Sequence, residues 1–297
     1  MGEQKMGYKF LKEYLDSLEL RESFNQLAGE VFGISFYSWM DKGYLTSKYI
    51  PYSFIVDDKV VANVSVNKIG LIIKGEEKKG IQIGTVMTHP NYRGQGLSRK
   101  LMESVLEDNK GKYDLLYLFA NQTVLDFYPK FGLFPVAEKV FSLEVTSNSS
   151  SFCKGRKLNM ENNTDRNFLY RFASTRLPVS NTFSALNSVE LLMFHSLNVF
   201  PGGIYYLEEE ECIAIFEEEG DVLHVYDLVF QKEVNLKRIL SRISSGAVKR
   251  AILHFTPEEQ ELPFKIEKYY GSEVLFALLD NGTTLPEVFK HPLTAQA

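Results

Sequence analysis

Two cysteines in 297 residues, Cys153 and Cys212, are too few for a disulfide framework and show no Cys-x-x-Cys spacing. A reducing compartment is therefore expected, with both thiols inert. Basic excess is missing too: 33 Lys and Arg against 38 Asp and Glu leave a net charge of -5, which argues against nucleic-acid binding, where cations must neutralise phosphates. No apolar run approaches the ~18 residues that span a bilayer. The opening MGEQKMGYKF lacks the apolar centre of a signal peptide, and Met6 stands where a myristoylation motif wants Ser or Thr. A cytoplasmic protein with neither nucleic-acid nor membrane partner is expected. Five histidines show no metal-ligand spacing, and no Gly-x-Ser-x-Gly elbow occurs, so neither a metal centre nor a serine hydrolase is expected.

What is present is ordinary for a globular chain, with 44% hydrophobic and 24% charged residues, and the length favours two domains. "YIPYSFIVDDKVVANVSV" reads as a hairpin turning at Asp57-Asp58-Lys59, after a helical region at 21–45. "GIQIGTVMT" reads as a strand. Beyond it, Leu97, Leu101, Met102, Val105 and Leu106 share one helical face opposite Arg99, Lys100, Glu103 and Glu107. "YDLLYLFA" has the continuous apolar character of a buried strand, "TVLDFYPKFG" reads as a short helix ending on Gly132, and "LFPVAEKVFSLEV" as one strand.

Residues 146–157, rich in Ser, Asn and Gly, read as a linker. The element order then repeats: a helical region at 162–198, three strands in 203–230, the helix "NLKRILSRI", the strand "KRAILHF", and a final pair in "PFKIEKYYGSEVLFALL". The expected fold is mixed α/β, with domains at 1–147 and 148–297.

Where the strand at 80–88 gives way to its following helix stands "THPNYRGQGLSRKLM". A helix start leaves amide hydrogens unpaired and favours negative charge. Gly94 and Gly96 let a phosphate approach the backbone, and Arg93 adds a positive charge. The stretch lacks the Gly-Lys-Ser/Thr of a Walker loop, and a dinucleotide fingerprint would need glycine at Arg99. His89 reads as a turn residue. No carboxylate stands on the strand before the turn; Glu30 and Asp41 can serve as base through water or simply be surface carboxylates, so no base is assigned.

Arg93, Gly96 and Ser98 resemble the Arg/Gln-x-x-Gly-x-Gly/Ala signature of the GNAT superfamily of acyl-CoA N-acyltransferases, with Ser98 departing mildly from the pattern. "VMTHP", "LSRKLM" and "FYPKFGL" resemble its flanking motifs, and the resemblance covers about residues 8–146. It implies an acetyl-CoA-dependent N-acetyltransferase acting on a primary amine of a small molecule or peptide. Val86, Met87 and Thr88 would offer backbone groups to the pantetheine arm. Gly94, Gln95, Gly96, Leu97, Ser98 and Arg99 would hold the pyrophosphate beside Arg93. Tyr128 would be the general acid, although Pro129 departs from the pattern and removes an amide donor from the short helix. Asn121 either contacts the cofactor arm or caps the next helix.

The whole chain resembles tandem enzymes of the enhanced-intracellular-survival type, without their third domain and with a degenerate second copy. In those enzymes the C-terminal carboxylate sits in the active site; the shorter chain here leaves that role unassigned to Ala297. The acidic run 207–221 either draws a polycationic amine or is a solvated hairpin face, and Trp39 either lines the acceptor pocket or lies in the core. The alternative to an enzyme is an acyl-CoA-binding regulatory protein without turnover. Oligomeric state is left open, a homo-oligomer included.

Overall fold

The computed structural model describes residues 7–145, 155–258 and 262–297. It opens with β1 (Lys9–Lys12), α1 (Leu18–Phe32) and α2 (Tyr37–Asp41). β2 (Tyr49–Val56) and β3 (Lys59–Ile73) form the expected hairpin. Asp57 and Asp58 have φ of 47° and 57°, the left-handed pair a two-residue hairpin turn requires. β4 (Glu76–Thr88), α3 (Leu97–Asn109) and β5 (Leu115–Asn121) make a parallel crossover. α3 buries Leu97, Leu101, Met102 and Val105, each worth about 1.5–3 kcal/mol when fully withdrawn from water. The expected short helix is a 3-10 turn at Tyr128–Phe131, closed on Gly132.

The single strand expected in 133–145 is two: β6 (Phe134–Val136) and β7 (Lys139–Glu144). After β8 (Arg156–Lys157) and α4 (Asn163–Ser174) comes β9 (Phe183–Leu186), which interrupts the helical region expected over 162–198 before α5 (Val189–Asn198). Pro178 disfavours helix at the residue before it, and β9 instead pairs with the far end of β3. The remainder is β10 (Ile204–Leu207), β11 (Cys212–Glu219), β12 (Val222–Phe230), α6 (Leu236–Ile243), β13 (Arg250–Leu253), β14 (Lys265–Lys268) and β15 (Glu273–Leu279).

One sheet runs β1-β2-β3-β4-β5-β15-β6, with β9 beside β3; the other runs β8-β10-β11-β12-β13-β7-β14. Place by place they correspond, with β4–β5 and β12–β13 the parallel pairs. The sixth place in each is filled from the other half of the chain. β15 lies between β5 and β6, and β7 between β13 and β14. A cut at residue 147 would leave β7 with the first block and β15 with the second, although each belongs to the other's sheet. Most of the expected linker lies outside the described residues, as does Cys153.

The crossing from β6 to β7 is held at Glu138, which is 4% exposed. Its carboxylate takes Lys290 Nζ at 3.0 Å and the His291 amide at 2.8 Å. A buried charge is tolerated only when paired in this way. α3 covers one face of the first sheet, and α6 covers one face of the second. Between the sheets, α1, α2, α4 and α5 share one apolar cluster. Cys212 on β11 is buried in the cluster under α6, and burial pushes its thiol pKa far up, leaving it unreactive. Among the described residues no helix is long and apolar enough to cross a membrane.

Candidate active site

Parallel pairing of β4 with β5 ends at Ile83–Leu118, and the strands then part around a bulge. The partner of β4 on β3 jumps from Ser65–Gly84 to Asn63–Met87, and Thr85 takes a φ of 49°. A non-glycine residue there costs roughly 1–3 kcal/mol. Buried side chains hold it: Asn63 Nδ2 donates to the Thr85 carbonyl at 2.8 Å, and Tyr49 shares a 2.7 Å hydrogen bond with Thr85 Oγ1. The opening is a cleft of about 1270 Å³, larger than the roughly 300–1,000 Å³ typical of one small ligand. It has room for a cofactor arm and an acceptor.

Val86, Met87 and Thr88 line the cleft, with the Met87 side chain in the core. Past Thr88, His89 Nδ1 accepts from the Asn91 amide at 3.2 Å, the turn role expected of it. Arg93, Gly94, Gly96, Leu97, Ser98 and Arg99 all line the cleft. Arg93 Nε donates to the Thr88 carbonyl at 3.1 Å, and Thr88 and Ser98 share a 2.7 Å hydrogen bond, so the turn is tied across its base. Gln95 does not line the cleft; its amide oxygen takes the Tyr8 hydroxyl instead.

Gly94 and Gly96 have φ of 75° and 74°, and a Cβ on either would meet nothing within 4 Å. Glycine is needed for the backbone, and the space before it is open. Gly96 is the N-cap of α3 and offers no side-chain cap, so the first-turn amides remain available to an anion. At the matching place in the second sheet, the N-cap Asn235 closes the first turn of α6 itself, accepting from the Arg238 amide at 2.8 Å. Two left-handed glycines and two arginines therefore leave this turn open to an anion, whereas Asn235 closes the matching turn. Gly96→Asp should weaken CoA binding at least tenfold, roughly 1.4 kcal/mol, through strain and charge repulsion. Calorimetric titration giving wild-type affinity would remove the cradle.

Tyr128 reaches the cleft from the 3-10 turn, its ring 5.2 Å from Phe127 and 5.7 Å from Phe276 between centroids. Burial first, then the nearby Glu273 carboxylate, pushes its pKa up to about 12. Pro129 does not derange the turn, since its carbonyl accepts from the Gly132 amide at 3.1 Å. Asn121 lines the cleft while its Oδ1 caps the following turn through the Thr123 amide at 3.0 Å.

Neither Glu30 nor Asp41 lines the cleft; Glu30 instead faces His89 Nε2 at 3.5 Å. The carboxylates that do so are Asp126 and Glu273, and Glu273 of β15 lies directly across the ladder from Asn121; Glu273 is the one set on a strand. Sequence reasoning missed it because nothing in "YYGSEVLFALL" reveals that this strand belongs to the first sheet. Ala297 is also in the cleft: a Cβ on Gly84 would stand 3.2 Å from it, and its amide donates to Gln82.

Trp39 is 1% exposed and part of the core, yet its edge also forms cleft wall, with its indole N–H donating to the Glu190 carbonyl at 2.7 Å. The acidic run is remote from the cleft. Glu209 and Glu210 pair with Arg238 and Arg242, and Glu211 with Lys232, so the run is an ion-paired surface hairpin. His224 and His254 approach to 3.1 Å on the second sheet, but among the described residues no group of three or more potential ligands could hold a metal.

Similar solved structures include a probable N-acyltransferase from Enterococcus faecalis V583, with a TM-score of 0.62 and 16% identity over 92% of this chain and 72% of that one. Eis1 from Mycobacterium abscessus gives 0.56 and 11% over 92% and 73%. A GCN5-related N-acetyltransferase from Anabaena variabilis ATCC 29413 gives 0.56 and 15% over 91% and 73%. At such identities the likeness is one of fold, and its coverage takes in both sheets. No curated protein matches the chain. The bulge, the glycine cradle and Tyr128 all fall within residues 18–136, which match the family model described as an acetyltransferase (GNAT) domain.

Proposed function

We propose that the protein is an acetyl-CoA-dependent N-acetyltransferase that acts on a primary amine of a small molecule or peptide. In plan it follows the tandem enhanced-intracellular-survival type. The observation that carries this reading is the uncapped, side-chain-free start of α3 opening into the same cleft as Tyr128.

In this reading, amides from Gly94 to Arg99 hold the pyrophosphate. The parted edge of β4, Val86 to Thr88, aligns the pantetheine arm and offers a backbone donor to the carbonyl oxygen as charge develops. The amine attacks the thioester, the C–N bond forms, and the C–S bond breaks. Tyr128, held protonated by burial, donates to the leaving sulfur. The two-cysteine composition agrees with a cytoplasmic location, and the net charge with a small-molecule or peptide acceptor in place of nucleic acid or membrane.

Titrating the full chain with CoA by calorimetry, then following thiol release from acetyl-CoA with and without amines, tests the reading. CoA binding and amine-dependent release are expected. Binding without release would make this an acyl-CoA-binding protein; no binding would remove both.

A further inference from the structure

The acceptor side of the cleft has a composition of its own. Glu273 shares a strand face with Leu275 and Ala277, which pack on the side of the sheet away from α3. Its carboxylate forms no hydrogen bond or ion pair with any described residue, and it is open to the cleft. The charged groups around it are few. Lys290 is turned to Glu138 at 3.0 Å and lies 3.9 Å from the Tyr269 ring centre, while Tyr128 stands on the cleft side.

The same cleft also has an apolar wall. Phe32 and Ile34 remain 40% and 36% exposed in the cleft, backed by Phe36, Leu191 and Phe194. Large exposed apolar groups lining a cleft mark a surface that a ligand covers. Among the lining side chains the other carboxylate is Asp126, on a turn whose neighbours Val124, Leu125 and Phe127 pack on the α3 side. Apart from Asp126, a polyamine or aminoglycoside would find Glu273 as the one carboxylate side chain lining the cleft. An amine with an aromatic or aliphatic body would find one partner for each of its parts.

Resting on the acetyltransferase reading, we propose that Glu273, delivered by the exchanged strand β15, receives the acceptor's ammonium and takes its proton, and that the acceptor is a primary amine on an apolar body. Glu273 accepts one proton from the ammonium, and the neutral nitrogen forms the C–N bond. The C–S bond breaks, and the sulfur takes the Tyr128 proton. The second amine proton returns to Tyr128 through water, Glu273 releases its proton to solvent, and one proton is produced per turnover. Glu273 is open to the cleft, yet the protein around the cleft strips part of its hydration and raises its pKa, with Lys290 partly opposing this. The rate should therefore fall with acidification at a pH above the ordinary carboxylate range. Lys290, Tyr269, Tyr128 and Glu138 are the titratable groups around it, and none of the four is an ordinary carboxylate open to the cleft.

The experiment compares phenethylamine with spermidine and kanamycin as acceptors for wild type, Glu273→Gln, Glu273→Asp and Asp126→Asn, each first checked for CoA binding. Phenethylamine should be preferred at least tenfold in kcat/KM. Glu273→Gln should lose about 10²-fold with its acid limb abolished, Glu273→Asp should recover part of both, and Asp126→Asn should match wild type. Transfer by Glu273→Gln at the wild-type rate with the limb intact overturns the base assignment alone. Preference for spermidine or kanamycin overturns the acceptor class alone. Loss of CoA binding, or no transfer to any amine by wild type, overturns this inference together with the enzymatic reading.

Discussion

Tyr128→Phe should lower turnover by about 10²-fold or more while leaving CoA affinity and folding nearly untouched. The reason lies in how the side chain is divided. Its ring packs against Phe127 and Phe276, contacts that phenylalanine keeps. Its hydroxyl makes no hydrogen bond with a described residue, so its removal strands no protein partner. A hydroxyl that contributes little to stability yet lies in the cleft is expected to act on the substrate. With pKa about 12, the phenol remains protonated throughout the neutral range, so the wild-type rate should show no basic limb from Tyr128 below pH 10. Steady-state kinetics and a CoA titration on the same preparations check the split. An unchanged kcat would exclude Tyr128 as the proton donor, whereas weakened CoA binding with unchanged kcat would make it a binding residue.

The glycine turn and the helix after it were legible in the sequence because their signals are local, whereas Tyr128 was singled out through resemblance to a family motif. A left-handed glycine turn needs only consecutive residues, and the helical face of α3 shows its period in a dozen positions. The exchange of β7 and β15 was not legible for the opposite reason: strand pattern reports which face is buried and does not name the neighbour. Physical traces of the exchange exist. "EVLFALL" has the continuous apolar run of an interior strand, whereas "KIEK" beside it is exposed throughout, so the two suit different places in a sheet. Pro135 suits an edge strand, and β6 is indeed the edge beyond β15. Glu138 offers another trace, a charged residue whose burial is explained by Lys290 and the His291 amide, 152 and 153 positions away. Glu273 therefore had no functional signal of its own, because its meaning depends entirely on which sheet receives its strand.

The exchange also ties the cleft to the second sheet, and Asp227→Ala should show how tightly. Asp227 is 0% exposed. Its two oxygens take Arg176 Nη1 and Nη2 at 2.7 Å each, and Thr294 donates to Oδ2 at 2.5 Å. Burial alone would raise the Asp227 pKa, but Arg176, Thr294 and the backbone outweigh it and hold the carboxyl below its ordinary range. Removing one member of such a pair leaves an uncompensated buried charge, at a cost of about 3–5 kcal/mol. A denaturant titration should show that loss, and Arg176→Ala with Asp227→Ala should cost less than the sum of the single changes. Because the folded-state pKa is depressed, the wild-type contribution is complete above the unfolded pKa of about 3.9 and is lost as pH falls through the folded value. Asp227→Ala should therefore flatten that acid limb. The local consequence is the more telling. Thr294 begins a segment whose Ala295 carbonyl accepts from Gln82 at 2.8 Å and whose Gln296 carbonyl meets His195 Nε2 at 2.8 Å. Those contacts bring Ala297 against Gly84 beside the bulge. Hydrogen exchange should consequently quicken across residues 293–297, while the α3 cradle, which is built from other residues, keeps its CoA affinity. Unaltered exchange in that segment would mean that the first sheet alone positions it, and the second sheet would then have no part in shaping the cleft.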